Sequence, residues 1–390
     1  NIGRMSRITL TYHQQEERAS APPSTMICKC FGTRTRDSFV AAMIPLARNE
    51  NLAYTDEQFV NLMQGLQPAV YYCSVSHFGL GFILMEDLSV TNRTKKSRDG
   101  VTLEELGMMW TAAARLHSRT LGMSSQALER ISHMFEWTGP LFDVQIKSAV
   151  NLLSGPWETR LRPYPRLLHA ISQLQNVELV NQLHVKLRGF DVYSHRPRHA
   201  RPTPFCAVVH GDARVDNCFF NDSRKTVRFV DWQTVALRSP MQDIGWSLID
   251  GGANAMHMPP IELLTAMKTS NSPISTDDSK RVADAAARCR ESIFHLIETR
   301  YLKVLEQERS EPRNVSGGLS NGVVPSLSYC QEMLPWTVFF CVMTFAGSCG
   351  GGVVVEDPTN PVTMTFSAYM ARIEWMLCVF VQESFWTPSR

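Results

Sequence analysis

The stretch that decides the fold lies between residues 208 and 243 and reads VVHGDARVDNCFFNDSRKTVRFVDWQTVALRSPMQD. A short apolar strand, Cys206–Val209, runs directly into His210-Gly211-Asp212. Two further apolar runs, Cys218–Phe220 and Thr226–Val230, flank a polar turn at Asn221–Lys225. Apolar runs on either side of a polar turn predict a β-hairpin.

Two oxygen-bearing side chains flank this hairpin. Asn217 precedes its first strand and Asp231 follows its second, with the turn midway between them, so both are expected at the open end beside Asp212. Asp and Asn oxygens that converge where buried strands end suit Mg²⁺. A free carboxylate beside such a metal can accept a proton from a hydroxyl nucleophile. The arrangement therefore favours phosphoryl transfer, in which a protein mainly positions groups and neutralises charge.

The pattern His210-x-Asp212-x-x-x-x-Asn217, followed by Asp231, resembles the core of the aminoglycoside phosphotransferase-like kinases. These are small-molecule kinases with a protein-kinase-like fold, and the wording of the stretch is most similar to the ecdysteroid kinase-like, or CHK kinase-like, branch. The resemblance implies that Asp212 is the catalytic base and that His210 organises the loop. It also implies that Asn217 and Asp231 hold Mg²⁺. Asp243 resembles the carboxylate that braces the catalytic loop from the start of a helix.

One position departs from the family. Arg214 stands two residues after Asp212, where the family often has an aromatic residue or histidine. Two interpretations stay open. A guanidinium there stabilises the transferring phosphate as a catalytic group, or Arg214 is an ordinary surface arginine.

Lysine is scarce in this chain. Of 39 basic residues only 9 are lysine, and Lys29 is the single lysine in residues 1–94. The segment Ala21–Lys29 resembles the family's strand bearing the lysine that touches the nucleotide phosphates, where a compact ammonium fits better than a planar fork. The run Glu50-Asn-Leu-Ala-Tyr54 resembles the family's ExxxY helix, whose Glu pairs with that lysine. Glu57 stands nearby as a second candidate partner.

The run Leu84-Met-Glu-Asp-Leu88 resembles the family's hinge, where backbone groups meet adenine. It implies nucleotide contacts at four consecutive residues: Met85, Glu86, Asp87 and Leu88. Ala113–His117 resembles the family's helix ending in a histidine, and we assign His117 no catalytic role. These matches occur in the family's order over about residues 1–250, and they imply ATP and Mg²⁺ as cofactors.

The patterning around the motifs predicts an α+β, bilobal, protein-kinase-like fold. We assign residues 1–86 to a nucleotide-binding N-lobe, a small sheet plus one helix. The helical stretch is Ser38–Leu66, either as one helix or as two pieces broken at Asn49–Asn51. The expected strands are Arg7–Tyr12, Thr25–Phe31, Ala69–Val75 and Gly81–Met85. No glycine-rich phosphate loop is visible, so we expect the chain to begin inside or just after that loop, without the first strand.

We assign residues 87–390 to a larger, mainly helical C-lobe that carries the catalytic loop 208–217, the short hairpin, Asp231 and a helical substrate-binding region. Its expected helices are Thr102–Thr120, Ser125–Phe135, Leu141–Leu153 and Tyr164–Leu187. Segments rich in Pro, Ser, Asn and Gly are expected to be loops: 194–204, Thr269–Lys280 and Gln307–Pro325. The first is also basic, which suits a solvated loop or a contact to an acidic substrate.

Composition excludes several classes of protein. With 44% hydrophobic and 19% charged residues the chain is globular, and a formal charge of +2 creates no field that favours nucleic acid. The most apolar stretch, Trp336–Val355, is interrupted by glycines, so no membrane span is expected. The ten cysteines form no CxxC pair, which is typical of a reducing, cytoplasmic location. Cys28 and Cys30 point the same way along a strand but lack the second pair that a zinc site needs.

We therefore expect an ATP-dependent kinase that transfers the γ-phosphate to a hydroxyl of a small molecule. An ecdysteroid-like, choline-like or aminoglycoside-like acceptor remains open, as does the oligomeric state. A catalytically inactive nucleotide-binding pseudokinase or scaffold is the alternative, suggested by the missing phosphate loop. A metal-dependent phosphoesterase would leave Lys29 and Glu50 without a role. A protein kinase is disfavoured because HGD and DWQ stand where HRD and DFG would.

Overall fold

The computed structural model describes residues 3–12, 23–31, 46–76, 80–121, 123, 130–131, 139–154, 156–187, 205–252, 257–260, 263–264, 275–310, 324–349, 361–381 and 385–386. The basic loop 194–204 lies outside the described residues, as does nearly all of the expected helix Ser125–Phe135.

A four-stranded antiparallel sheet opens the chain, in the order β1-β2-β4-β3. Its strands are β1 (Gly3–Thr9), β2 (Thr25–Phe31), β3 (Val70–Val75) and β4 (Gly81–Glu86). The expected bounds of the first strand, Arg7–Tyr12, were wrong. Its pairing with β2 stops where Leu10 donates to the Ser24 carbonyl, because Pro23 beyond it has no N–H to continue the ladder.

Over residues 46–66, the part of the expected helical stretch that the structure describes, there are two short helices, α1 (Leu46–Thr55) and α2 (Glu57–Leu62). The break falls at Asp56 and not at the expected Asn49–Asn51. The Asp56 side chain accepts the backbone N–H three residues on, at 2.9 Å, and so starts a new helix as its N-cap. The buried face of α1 follows helical spacing and comprises Ala47, Asn49, Glu50, Ala53 and Tyr54.

Helix α3 (Leu103–Ser118) confirms the expected helix Thr102–Thr120 to within two residues. A capping box starts it, because Thr102 Oγ1 accepts the Glu105 N–H while a Glu105 carboxylate oxygen accepts the Thr102 N–H. The helices that follow are α4 (Gly139–Asn151), α5 (Pro156–Leu161), α6 (Pro165–Gln173) and α7 (Val177–Leu187).

The expected helix Tyr164–Leu187 is thus divided in two. Asn176 causes the division, since its side-chain oxygen accepts the backbone N–H groups of Glu178 and Leu179 at 3.1 and 3.3 Å. This is the capping geometry of a helix start, and the preceding helix therefore ends before it.

Among the described residues, five short strands lie at the centre of the C-terminal part. Two of them form the hairpin expected from the sequence, β7 (Cys218–Asn221) and β8 (Thr226–Phe229), paired antiparallel. The strand β5 (Arg93–Thr94) pairs with the outer edge of β7, and β6 (Ala207–Val209) pairs with β9 (Ala236–Arg238).

The remaining described helices pack around this centre: α8 (Met241–Asp250), α9 (Thr276–Leu296), α10 (Lys303–Ser310), α11 (Leu327–Cys349) and α12 (Pro361–Phe380). A π-helical segment, Ile297–Leu302, joins α9 to α10. The expected loop Thr269–Lys280 was too long, because Ser275 caps a helix that begins at Thr276. None of the described helices combines the length and the apolarity that crossing a bilayer requires.

The architecture is the expected α+β fold. A small antiparallel sheet with two short helices is joined, at the end of β4, to a larger and mainly helical part. The hairpin β7–β8 lies where the two parts meet, and Phe229 donates its backbone N–H to the Leu66 carbonyl across that junction at 2.7 Å.

Candidate active site

The catalytic loop begins where β6 ends, at His210 and Gly211. Gly211 has a φ of +82°, and a Cβ at this position would lie 2.1 Å from the carbonyl oxygen of Thr234. Only glycine satisfies both the left-handed backbone and this close approach. The turn therefore presents Asp212 at the end of a fully buried strand.

Asp243, in the first turn of α8, supports this loop through hydrogen bonds to its backbone. Its buried carboxylate accepts the backbone N–H of His210 at 2.8 Å and that of Gly211 at 2.9 Å. His117 Nε2 lies 3.1 Å from the same carboxylate, and the other nitrogen of His117 contacts the hydroxyl of Tyr301 at 2.8 Å. The sequence singled out Asp243 for this position, but it did not indicate the contact of His117 or any role for Tyr301.

The His210 ring ties the loop to the hairpin. Its Nδ1 accepts the backbone N–H of Asp212 at 3.3 Å, so Nε2 carries the proton and donates to the carbonyl of Val230 at 2.9 Å. The ring also packs against the aromatic rings of Phe229 and Trp232, with centroids 5.3 and 4.8 Å away. His210 thus fixes the loop from inside the core and does not face the cleft.

Both oxygens of Asp212 are engaged by its own loop. Arg214 forms a bidentate pair with them, Nε to Oδ1 at 2.7 Å and Nη2 to Oδ2 at 3.0 Å. The amide of Asn217 donates to Asp212 Oδ2 at 3.1 Å. The Asp212 charge, acting against burial, raises the pKa of Arg214 well above its ordinary value. Arg214, for which two interpretations are open, forms half of this ion pair, and its side chain is 32% exposed.

Asn217 and Asp231 meet at the open end of the hairpin, as the spacing predicted. The N–H of Val230, beside Asp231, donates to the Asn217 carbonyl at 3.0 Å. Asp231 has φ +67° and ψ 60°, a left-handed conformation that costs a non-glycine residue about 1–3 kcal/mol and is concentrated at functional sites. This backbone turn directs the carboxylate towards β2 and Lys29.

Asn217 and Asp231 offer a donor set that fits Mg²⁺. The side-chain nitrogen of Asn217 donates to Asp212, which leaves the side-chain oxygen Oδ1 of Asn217 as a possible metal ligand. Asp231 adds a carboxylate. Hard oxygens of this kind are the ligands that Mg²⁺ prefers, with water and phosphate completing the set. Within the described ranges no group of three or more His, Cys, Asp or Glu is arranged to hold a metal. Phosphate and water oxygens would therefore have to provide most of the ligands.

Lys29 lies between two carboxylates at the top of the cleft. Its Nζ is 2.9 and 2.7 Å from the two oxygens of Glu50 and 2.8 Å from Asp231 Oδ1. Burial by itself lowers the pKa of Lys29, but the charges of Asp231 and Glu50 outweigh burial and raise it above the ordinary value. Lys29 is therefore a charged ammonium, although only 4% of its surface is exposed.

Glu50 is the partner of Lys29, and the alternative Glu57 is exposed at the start of α2. Gln233 donates to Glu50 Oε2 at 3.0 Å, a contact that the sequence did not indicate. Burial raises the pKa of Glu50 to about 7, against the opposing attraction of the Lys29 charge. Lys29, Glu50 and Asp231 are called the lysine cluster below.

A cavity of about 850 Å³ lies between the sheet and the catalytic loop. The lysine cluster, Arg214 and Asn217 line it, together with the four expected hinge residues Met85, Glu86, Asp87 and Leu88. Two hinge side chains are already occupied: Glu86 pairs with Arg228 at 2.6 Å, and Asp87 pairs with Arg7 at 2.7 Å. The carboxylates of Glu86 and Asp87 are therefore already paired with arginines.

A second buried carboxylate supports the catalytic loop and was missed by the sequence reasoning. Asp250 Oδ2, at the end of α8, accepts the backbone N–H of Val215 at 2.6 Å and the hydroxyl of Ser97 at 3.0 Å. Arg372 of α12 donates to the carbonyls of Asp250 and Ser97. These residues come from four distant segments, so no local pattern points to them.

The chain belongs to the ecdysteroid kinase-like family, whose sequence model matches residues 2–250. That match spans the sheet, the catalytic loop, the hairpin and α8, and it confirms the resemblance drawn from the sequence motifs. No curated protein sequence matches the chain.

Solved structures of small-molecule kinases are similar to this chain at low identity. Choline kinase LicA from Streptococcus pneumoniae is 12% identical, with 86% of this chain and 92% of that chain covered and a TM-score of 0.34. An ethanolamine kinase from Plasmodium vivax is 9% identical over 86% and 79% of the two chains, with a TM-score of 0.38. Amicoumacin kinase hAmiN, in complex with AMP-PNP, Ca²⁺ and Ami, is 11% identical over 90% of this chain and 81% of that chain, with a TM-score of 0.43.

Proposed function

We propose that this chain is an ATP- and Mg²⁺-dependent kinase that phosphorylates a hydroxyl of a small molecule. One observation carries the proposal. A buried lysine bridges Glu50 and Asp231 in a cleft that is also lined by Arg214, the bidentate partner of Asp212. Membership of a kinase-like family supports it. Residues 1–86 form the nucleotide-binding lobe in this proposal, and residues 87–390 carry catalysis and the acceptor.

The residues of the cleft have distinct roles in this proposal. When bound, Mg·ATP supplies the γ-phosphoryl group and a divalent charge that offsets the phosphates. Lys29, oriented by Glu50, contacts the α/β-phosphates with its ammonium. Asn217 and Asp231 provide the protein oxygens for the metal, and the backbone of Met85–Leu88 meets adenine.

Asp212 accepts the proton of the acceptor hydroxyl on a carboxylate oxygen. Arg214 orients that carboxylate through two parallel hydrogen bonds, at 2.7 and 3.0 Å, a geometry that fixes a plane as well as a distance. Asp243 and His210 position the loop without touching the reactants. The acceptor belongs to the broad class of hydroxylated small molecules, with ecdysteroid-like, choline-like and aminoglycoside-like alcohols as candidates.

The test is ADP formation from Mg·ATP in the presence of a panel of hydroxylated small molecules. Acceptor-dependent ADP formation is expected from the wild-type chain, and Asp212→Asn should reduce turnover by roughly 10²- to 10⁴-fold, the usual contribution of a general base. Asp222→Asn, an exposed aspartate in the turn of the same hairpin, is the matched control and should leave turnover unchanged. Unchanged turnover in Asp212→Asn would show that the mechanism is wrong.

The two rival functions give different results in the same assay. A pseudokinase or scaffold would bind Mg·ATP, visible as a thermal shift, and form no ADP with any acceptor. A metal-dependent phosphoesterase would release phosphate without an acceptor, and Lys29→Ala would leave that release intact.

A further inference from the structure

The π-helical segment Ile297–Leu302, between α9 and α10, carries a buried tyrosine. Single π-turns inside α-helices are uncommon and occur frequently at functional sites. Buried residues follow at a spacing of four through this region: Ile293, Ile297, Tyr301 and Leu305. On a regular α-helix, residues four apart drift by about 40° around the axis at each step, because one turn takes 3.6 residues. The wider π-turn reduces this drift, so Tyr301 stays on the face that is directed at the core.

Tyr301 reaches His117, in the last turn of α3. Its hydroxyl lies 2.8 Å from His117 Nδ1, and the two rings meet edge to face with centroids 5.7 Å apart. Both residues are 0% exposed, although 184 residues separate them in sequence. The π-helical segment is therefore joined to α3 by a ring contact and by a hydrogen bond, both inside the core.

The other nitrogen of His117 contacts Asp243, and this contact sets the direction of the hydrogen bonds. A carboxylate accepts and does not donate, so His117 Nε2, 3.1 Å from Asp243 Oδ2, carries a proton. In a neutral imidazole Nδ1 is then the acceptor, and the Tyr301 hydroxyl donates to it. Burial raises the pKa of Tyr301 well above its ordinary value, so the hydroxyl keeps the proton that it donates.

This series of hydrogen bonds continues into the catalytic loop. Asp243 Oδ2 also accepts the backbone N–H of His210 at 2.8 Å, and Oδ1 accepts that of Gly211 at 2.9 Å. These are the two residues before Asp212. Buried polar groups that are all hydrogen-bonded hold one another in a single orientation. The Tyr301 hydroxyl is thus linked through two side chains to the backbone that presents Asp212.

We propose that Tyr301 is a positioning residue for the catalytic loop. Its hydroxyl holds the His117 ring, the ring holds the Asp243 carboxylate, and the carboxylate holds the turn before Asp212. Tyr301 lies outside residues 2–250, which match the family. Its part in catalysis rests on the proposed kinase function, whereas its effect on the loop can be measured without turnover.

The experiment is hydrogen–deuterium exchange of the full chain, followed by mass spectrometry of peptides that contain His210 and Gly211. Tyr301→Phe removes the hydroxyl and keeps the ring. The two loop amides should exchange about fivefold faster in this variant, the effect of losing one neutral hydrogen bond. The hairpin β7–β8 is the internal reference and should exchange as in the wild type.

Tyr329→Phe is the matched control. Tyr329 is a half-buried tyrosine at the start of α11, and its hydroxyl contacts Ser239 at 3.3 Å. Removing this hydroxyl should leave the exchange of the loop amides at the wild-type rate.

Two further measurements separate positioning from a general effect on stability. In a His117→Phe background, Tyr301→Phe should have no additional effect on the loop, because the connecting ring nitrogen is gone. In the ADP assay, Tyr301→Phe should lower kcat by about fivefold and leave the KM for Mg·ATP unchanged, since the hydroxyl acts on the loop and not on the nucleotide. Tyr301→Phe and its control decide the question even where His117→Phe does not fold.

Two results would overturn the proposal. The first is equal exchange of the loop amides in the wild type and in Tyr301→Phe. The second is equal acceleration of the loop and of the hairpin β7–β8, which would show a general loss of stability. A wild-type chain that forms no ADP with any acceptor would overturn the proposed kinase function instead, while the exchange rates would still decide whether Tyr301 positions the loop.

Discussion

The lysine cluster and the catalytic loop face each other across one cleft but are built in opposite ways. Lys29, Glu50 and Asp231 come from β2, α1 and the end of the hairpin, so that up to 202 residues separate the two partners of a single ion pair. Asp212, Arg214 and Asn217 lie within six consecutive residues, and their support Asp243 follows at the start of the next helix. The first group is a product of the tertiary fold, and the second is largely local.

This difference has consequences for what each group tolerates. In the lysine cluster Lys29 and Glu50 are buried charges and Asp231 is partly buried, so their partners must be present, because an unpaired buried charge is strongly destabilising. In the catalytic loop the carboxylate of Asp212 is likewise partly exposed, and stability depends on the buried carboxylate of Asp243, which supports the loop from the first turn of α8. Substitutions in the catalytic loop should therefore be able to change turnover without changing stability. Substitutions in the lysine cluster should change both.

The largest effect is expected at Asp243, the buried carboxylate that supports the catalytic loop. Asp243→Ala leaves the N–H groups of His210 and Gly211 and the ring of His117 without their buried acceptor, so the free energy of unfolding should fall by about 4 kcal/mol. Urea denaturation followed by circular dichroism measures it. Asp278→Ala, at the exposed start of α9, is the control and should change stability by no more than about 0.5 kcal/mol. A small effect of Asp243→Ala would mean that the catalytic loop keeps its conformation without the Asp243 carboxylate.

Lys29→Met tests the coupling within the cluster. It leaves the buried Glu50 and the partly buried Asp231 without their cation, and the loss should be about 3 kcal/mol of unfolding free energy together with roughly 100-fold in Mg·ATP turnover. Lys29→Met/Glu50→Leu removes the pair together and should recover much of the stability while turnover stays low. Recovery of turnover in the double variant would contradict the role of Lys29.

The pH dependence of the cluster should have opposite signs for stability and for nucleotide binding. The pKa of Glu50 rises from its ordinary 4.5 to about 7 on folding, so the folded chain binds this proton more tightly. Its contribution to stability is present below about pH 4.5 and is lost as pH rises through about 7. The charged Glu50 that orients Lys29 forms above that range, so Mg·ATP affinity should increase from pH 6 to pH 8.

Calorimetric titration with Mg·AMP-PNP from pH 6 to pH 8 checks the expected increase in nucleotide affinity. Thermal unfolding over the same pH range checks the expected loss of stability. Glu50→Gln is the control, since an amide does not titrate, and both pH trends should flatten in this variant. Identical pH profiles in the wild type and in Glu50→Gln would assign the titration to another group.

The smallest effect is expected at the break between α1 and α2. Asp56→Ala removes the N-cap of α2 and should cost about 1 kcal/mol of unfolding free energy. Mg·ATP turnover should stay unchanged, because Glu50 lies on α1, on the other side of the break. Thermal unfolding and the ADP assay on the same variant measure both. A loss of turnover would show that the cap positions the cluster as well as α2.

The elements predicted from the sequence are those whose signals are local. The hairpin β7–β8, the strand β2 and the capped helix α3 follow from alternation, turn residues and caps that lie within a few residues of each other. The misplaced boundaries also have local causes that the apolar pattern hides. Asp56, Asn176 and Ser275 each act through a single side-chain cap, and a cap outweighs the continuous hydrophobic periodicity on either side of it.

The residues of the candidate site likewise divide into those indicated by local sequence and those that depend on distant partners. Spacing within one stretch of sequence indicated Asp212, Asn217 and Asp231, and the family resemblance indicated Asp243. The contacts of Arg214, Gln233 and Asp250 did not follow from it, because each depends on a partner's position in three dimensions. A guanidinium two residues after a carboxylate can turn inward or outward, and only packing decides which.

The sequence by itself determined the α+β class, the hairpin with Asn217 and Asp231 at its open end, and the family, because short-range spacing encodes these features. Only the tertiary structure decided that Glu50 and not Glu57 faces Lys29, that Arg214 clamps Asp212, and that Tyr301 contacts His117. The physical reason is that charge interactions act between side chains that approach within a few ångströms. For residues brought together from distant parts of the chain, only the folded core sets that distance.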